Sequence, residues 1–239
     1  MHGTRTPLRL WYWAAYLVAT HTPGISAVQL QRQLAIGRYE TAWLILQKLR
    51  RAMVAPEREP QKGEVEVDET FVGGRNSQRR GGRDRTGKTL VGVAVEVRGQ
   101  GSGRVRVSVL QDATAYSLHA FLNEAVAPDT IVHTDGWRGY VALAEAGYDH
   151  RPIKQHWRDS DARQEILPRA HRAISNLKTW LAGTHRGTSV KHLQVYLDEF
   201  AFRHNRRRVP MAVFQTLLGL SALHTLTTYN QITAESGAT

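Results

Sequence analysis

The order of apolar and polar positions divides the chain into a helical beginning, a strand-rich middle and a helical end. Leu10, Tyr12, Trp13, Tyr16 and Leu17 recur at mostly helical spacing until Thr22-Pro23-Gly24 breaks the run. Ser26 is placed to cap a second helix, Ala27 to Leu34, which Gly37 ends. A third, Tyr39 to Met53, sets Ala42, Trp43, Leu46 and Leu49 on one side and finishes on Lys48, Arg50 and Arg51. Two short helices joined by a tight turn, the second basic at its end, fit a helix-turn-helix DNA reader, a pattern any small helical bundle shares. Lys48, Arg50 and Arg51 are its candidate phosphate contacts. Ala55 to Gly63, with two prolines and dense charge, reads as a linker.

From Glu64 the period changes to two. Glu64 to Gly74, Leu90 to Val97 and Arg104 to Leu110 read as strands, and the Gly-rich Arg98 to Gly103 suits a hairpin between the last two. Thr114 to Val126 is an amphipathic helix with Leu118, Phe121, Leu122 and Ala125 inward. Thr130 to His133 then reads as a strand, Trp137 to Ala146 as a helix and His150 to Lys154 as a strand. Helices follow at Ala170 to Leu181 and Val190 to Arg207, and another starts at Pro210. Three antiparallel strands, then helix, strand, helix, strand and helix, is the order of an α/β ribonuclease H-like domain, a mixed sheet flanked by helices. The expected organisation is a helix-turn-helix-like segment over 1–54, a linker over 55–63, the ribonuclease H-like domain over 64–208, and a C-terminal helix and tail over 209–239.

Charge narrows the partner. With 32 Lys and Arg against 21 Asp and Glu among 239 residues, the net charge is +11, which favours a polyanion. Nucleic acid suits better than membrane, because no basic amphipathic anchor stands out. There is no cysteine, hence neither a disulfide nor a cysteine-held zinc. The apolar run Leu10 to Ala19 is too short to span a bilayer and no cleavage pattern follows it, so the reading is a cytoplasmic protein.

One motif is discarded. Gly82 to Thr89 satisfies G-x-x-x-x-G-K-[ST] letter for letter, but a phosphate loop needs a strand before it and a helix from its Lys-Thr. Here a polar run precedes it and strand-like residues follow. Arg98 to Gly103 likewise lacks the spacing of a dinucleotide fingerprint.

The carboxylates carry more. Magnesium prefers oxygen ligands and keeps waters, so one or two carboxylates plus substrate phosphate hold it. Two such ions about 4 Å apart can serve an in-line displacement at phosphorus. Asp68 and Glu69 alternate on one strand and point to opposite faces, so one of them serves such a site, and the sequence leaves open which. Asp135 ends a strand where Gly136 opens the backbone. On the helix from Ala170, His171, Ile174, Ser175 and Lys178 share a face, offering an imidazole for metal and an ammonium for phosphate. Alone, each of these residues would be an ordinary solvated side chain. Arg203, Arg206, Arg207 and Arg208 form a second candidate phosphate-contacting cluster, while Glu199 is read as a helix acid available to pair with an arginine.

VEVDETFVGG, HTDGWRGY, LPRAHRAISNLKTWLAGTHRG and KHLQVYLDEFAFRHNRR occur in that order, and with TRTPLRLWYWAAYLVAT and the segment from Gly24 to Met53 they cover nearly the whole chain. Together they resemble the DDE-type transposases of bacterial insertion sequences, in the group called ISXO-two-like. The resemblance implies a ribonuclease H-like core, two Mg2+ ions per site and cleavage followed by strand transfer. It also implies double-stranded DNA as partner, at transposon ends and target, and a homodimer or larger assembly on the nucleoid. By position, Asp68 and Asp135 match the first two catalytic aspartates. The third position varies in the group among Asn, Glu and His with a Lys seven residues on, which His171 and Lys178 satisfy. Glu165 is the other candidate for the third ligand. A His ligand weakens the preference for hard oxygen donors and implies tolerance of Mn2+. Members usually carry a cysteine-rich zinc ribbon ahead of the helix-turn-helix region, whereas Met1 stands just before TRTPL, so the expectation is a truncated copy or an internal start. A non-catalytic binder of transposon ends and a nuclease without strand transfer are the alternative readings.

Overall fold

The computed structural model of the chain describes residues 4–73, 87–153, 166–225 and 227–234. Helical spacing in the first segment produces α1 (Leu8–Thr20), α2 (Ala27–Gln33) and α3 (Tyr39–Arg51). The start of α2 is written locally. Ser26 accepts from the Gln29 amide at 3.2 Å, and Gln29 Oε1 accepts from the Ser26 amide at 3.0 Å, a reciprocal capping box.

The acidic-apolar alternation of Glu64–Gly73 makes β1, the middle strand of a five-stranded sheet ordered β3-β2-β1-β4-β5. The strands β2 (Lys88–Arg98) and β3 (Gly101–Leu110) extend it antiparallel on one side. On the other, β4 (Ile131–Thr134) runs parallel to β1 and β5 (Asp149–Pro152) parallel to β4. This mixed sheet flanked by helices is the expected ribonuclease H-like arrangement. Lys88 and Thr89 open β2, so a strand and not a helix follows the phosphate-loop-like pattern; its Gly82 to Thr86 portion lies outside the described residues.

One face of the sheet is closed by α4 (Ala115–Ala125), whose Leu118, Phe121 and Leu122 pack with Val65, Val67 and Val132. Gly92 permits this approach, since a Cβ there would meet the Phe121 ring at 3.0 Å. The segment after β4 departs from expectation. A 3-10 turn, Arg138–Leu143, forms where the spacing predicts an α-helix from Trp137 to Ala146. Gly139 is jammed there, its absent Cβ 2.6 Å from Leu118 Cδ1, and the tight turn buries Tyr140 and Leu143 against α4. α5 (Pro168–Trp180) follows β5 in order.

By compactness the chain forms two units, residues 59–179 and residues 1–58 with 180–239. In the second unit the expected helix Val190 to Arg207 resolves into a 3-10 turn, Val190–His192, and α6 (Leu193–Asn205). It is completed by α7 (Pro210–Leu223) and α8 (Tyr229–Ala234). Its core joins Trp11, Val18, Ile45 and Leu46 to Phe202 and Leu217. No helix among the described residues is long and apolar enough to cross a membrane.

Candidate functional site

Alternation along β1 sends Glu64, Glu66 and Asp68 to one face and Val65, Val67 and Glu69 to the other. Three acids on one face of an interior strand need partners, because a buried charge without one is costly. Each has a basic partner. Glu64 Oε1 lies 2.7 Å from His133 Nε2, Glu66 Oε1 accepts from Arg169 Nη1 at 2.7 Å, and Asp68 Oδ2 stands 3.4 Å from His171 Nε2.

Asp68 also feels the charge of the second predicted acid. The parallel register pairs Glu66 with His133, each two residues before one of the acids, and Asp135 follows just past the end of β4. Burial pushes the Asp68 carboxyl up from its ordinary value, and the charge of Asp135 adds to that. The Glu69 amide, at 2.8 Å, and the charges of His171 and Lys178 pull it back. The other three predicted site residues, Asp135, His171 and Lys178, therefore all act on the Asp68 carboxylate.

Asp135 is exposed and held in a tight turn. Its Oδ1 accepts from the Trp137 amide at 2.9 Å, and Gly136, at φ 78°, donates to Thr134 Oγ1 at 3.2 Å. Glu69 turns to the opposite face, where the buried Tyr140 hydroxyl donates to Oε2 at 2.6 Å. Burial pushes the Glu69 carboxyl up, the Tyr140 hydroxyl lowers it, and Asp68 and Asp135 raise it further. Burial, reinforced by Glu69, likewise drives the Tyr140 hydroxyl upward, so it remains a donor.

A half-buried Asp68 carboxyl that feels the charge of Asp135, itself exposed, is a donor set suited to a divalent cation. Among the described residues no three His, Asp or Glu side chains are gathered closely enough to cage an ion. An open pair still fits magnesium or manganese, which complete their coordination with water and substrate phosphate. Glu165 lies outside the described residues.

Residues 60–205 match the family model described as the ISXO2-like transposase domain. The chain belongs to that family. None of the curated protein sequences matches it. Among solved structures, a pre-cleavage Mos1 transpososome is similar at 12% identity, covering 95% of this chain and 83% of that one, with a TM-score of 0.24, too slight a likeness to carry an argument.

In this transposase-family chain the predicted DNA-contacting cations separate into two kinds. Arg50 is a correction: it is 1% exposed, its Nε donates to Glu199 Oε2 at 2.6 Å, and its guanidinium lies 4.1 Å over the Tyr196 ring, so it is engaged inside the helical unit. Arg203 is similarly engaged, donating to Val18 O at 2.5 Å, to Thr22 O at 2.8 Å and to His21 O, where it satisfies carbonyls at and beyond the end of α1. Arg206 stacks 4.1 Å over Phe202 and is half-buried. Lys48 and Arg51 are half-buried, and Arg207 and Arg208 are exposed.

Sequence reasoning missed the partners of the site acids, namely Glu66 with Arg169 and Glu69 with Tyr140. The E-x-E-x-D alternation was the available signal for the first pair, since it puts three acids on one strand face.

Proposed function

We propose that this chain is a DNA transposase in the chemical sense. It cuts a strand at the end of an insertion sequence and joins the freed 3′-hydroxyl to target DNA. The observation that carries this reading is the Asp68 carboxylate, raised by burial and by Asp135, standing 3.4 Å from His171 Nε2. Asp68 and Asp135 would hold the divalent ions, two per site, with His171 as the third ligand. Bound there, such ions would supply Lewis-acid activation of the attacking oxygen and neutralise charge on the departing one. Lys178 offers an ammonium to a nonbridging phosphate oxygen, and its charge already acts on Asp68. Burial of Asp68 lowers the local dielectric, which strengthens each of these interactions. Tyr140, through Glu69, fixes the turn that follows Asp135.

Lys48, Arg51, Arg206, Arg207 and Arg208 are assigned to duplex phosphates, where they position DNA without reading sequence. A pair of transposon ends requires at least two copies of the chain, working on DNA in the bacterial nucleoid.

The test uses duplexes carrying terminal inverted repeats identified in the DNA around the gene, with Mg2+, Mn2+ or EDTA. Strand cleavage at the repeat tip and a joined product are expected with either metal and neither in EDTA. Salt-sensitive binding without any metal-dependent product would overturn the reading in favour of a binding derivative. Cleavage of RNA–DNA hybrids without joining would favour a simple nuclease.

A further inference from the structure

We propose that Glu66 and Arg169 are positioning residues that set the rotation and depth of α5, and through it the place of His171 beside Asp68; this rests on the metal-site reading above.

Among the described residues no neighbouring side chain caps the start of α5. Leu167 precedes it at φ 52°, a backbone region an L residue rarely adopts, and its side chain is wholly buried and apolar. Pro168 fills the first helical position, where its missing N–H costs nothing. The next two amides are satisfied from the sheet. Glu66 Oε2 accepts from Arg169 N at 2.7 Å and from Ala170 N at 2.9 Å, while Oε1 takes Arg169 Nη1 at 2.7 Å. Glu66 thus does for α5 what an N-cap serine does for an ordinary helix, from 103 residues away.

The geometry explains why this reaches the site. Glu66 and Asp68 lie on the same face of β1, two residues and about 7 Å apart. Ala170, whose amide Glu66 holds, immediately precedes His171, whose ring stands 3.4 Å from Asp68. A helix turns about 100° per residue, so a small rotation at its first turn would carry His171 and Lys178 away together. Two amide bonds and one guanidinium bond from a single carboxylate prevent that rotation. Arg169 adds a second tether, donating to Gly101 O at 3.0 Å and to Gly99 O in the β2–β3 turn. Glu66 is 3% exposed.

The experiment measures Mn2+ affinity of the full chain by electron paramagnetic resonance of the free ion, beside amide hydrogen exchange at α5. Glu66→Gln keeps the shape and loses the charge. It is expected to unfold cooperatively, to exchange Arg169 and Ala170 amides faster, and to bind Mn2+ about tenfold more weakly, as loss of an orienting residue does. Should Glu66→Gln fail to fold, Arg169→Gln, which leaves both amide bonds in place, is expected to weaken Mn2+ severalfold while the amides of residues 169 and 170 exchange at the parent rate. A purely structural role would lower the unfolding midpoint and leave Mn2+ affinity at the parent value. That result, with binding lost in Asp68→Asn, overturns the positioning role and leaves the metal reading standing. Parent-like binding in both Glu66→Gln and Asp68→Asn overturns the metal reading and the positioning role with it.

Discussion

Glu199→Ala is expected to destabilise the helical unit by about 3–5 kcal/mol, the usual loss when one member of a buried ion pair is removed. Glu199 is fully buried on α6 and Arg50 is 1% exposed on α3, with Nε and Oε2 2.6 Å apart. Without the carboxylate, the guanidinium remains buried against the Tyr196 ring, whose cation–π attraction, about 2 kcal/mol when desolvated, does not neutralise its charge. Replacing both partners together, as Arg50→Met with Glu199→Leu, is expected to cost far less than either single change, because no charge is then stranded. Denaturant unfolding of the parent, Arg50→Met, Glu199→Leu and the double variant gives the cycle. A Glu199→Ala variant within about 1 kcal/mol of the parent would show that the pair is not desolvated as described.

Asp68→Asn is expected to abolish metal-dependent cleavage, by about a thousandfold or more, while making the metal-free chain more stable at neutral pH. The second half follows from the sign of the protonation change. Burial, with Asp135, raises the Asp68 carboxyl in the folded state, so over the interval between its unfolded and folded values the folded chain binds the proton more readily. At neutral pH the folded state therefore carries the cost of a desolvated anion, and that cost lifts as pH falls through the folded value. Glu69 behaves in the same direction. Asparagine removes the charge at Asp68, so its stabilising effect should shrink as the solution is acidified. Mn2+ should reverse the order, stabilising the parent by about 2.7 kcal/mol at a hundredfold excess over its dissociation constant and the variant hardly at all. Parent-rate cleavage by the variant, or lower stability than the parent at pH 7 without metal, would contradict this account of Asp68.

How much of this was legible in the sequence depends on how far apart the partners lie. The cap of α2 was readable because Ser26 and Gln29 are three residues apart. The strand character of β1, and the acids at Asp68 and Asp135, were readable from alternation and from the turn at Gly136. The parallel register of β1 and β4 was not, since nothing in either strand names its neighbour. The cap of α5 was hidden for the same reason: its acceptor sits on a strand and not at the preceding residue. Arg50 looked like a surface cation because a basic helix end usually is solvated; its counter-charge lies 149 residues further on. The 3-10 turn after Asp135 reflects a steric fact, the closeness of Gly139 to Leu118, that periodicity cannot express.

The central claim, that Asp68 and Asp135 together hold a divalent ion, is tested most directly by anomalous scattering from crystals of the full chain grown with Mn2+. The account predicts a manganese peak about 2.1 Å from a carboxylate oxygen of each aspartate, absent from crystals of Asp68→Asn. Manganese bound elsewhere, with no peak between those two side chains, would contradict it.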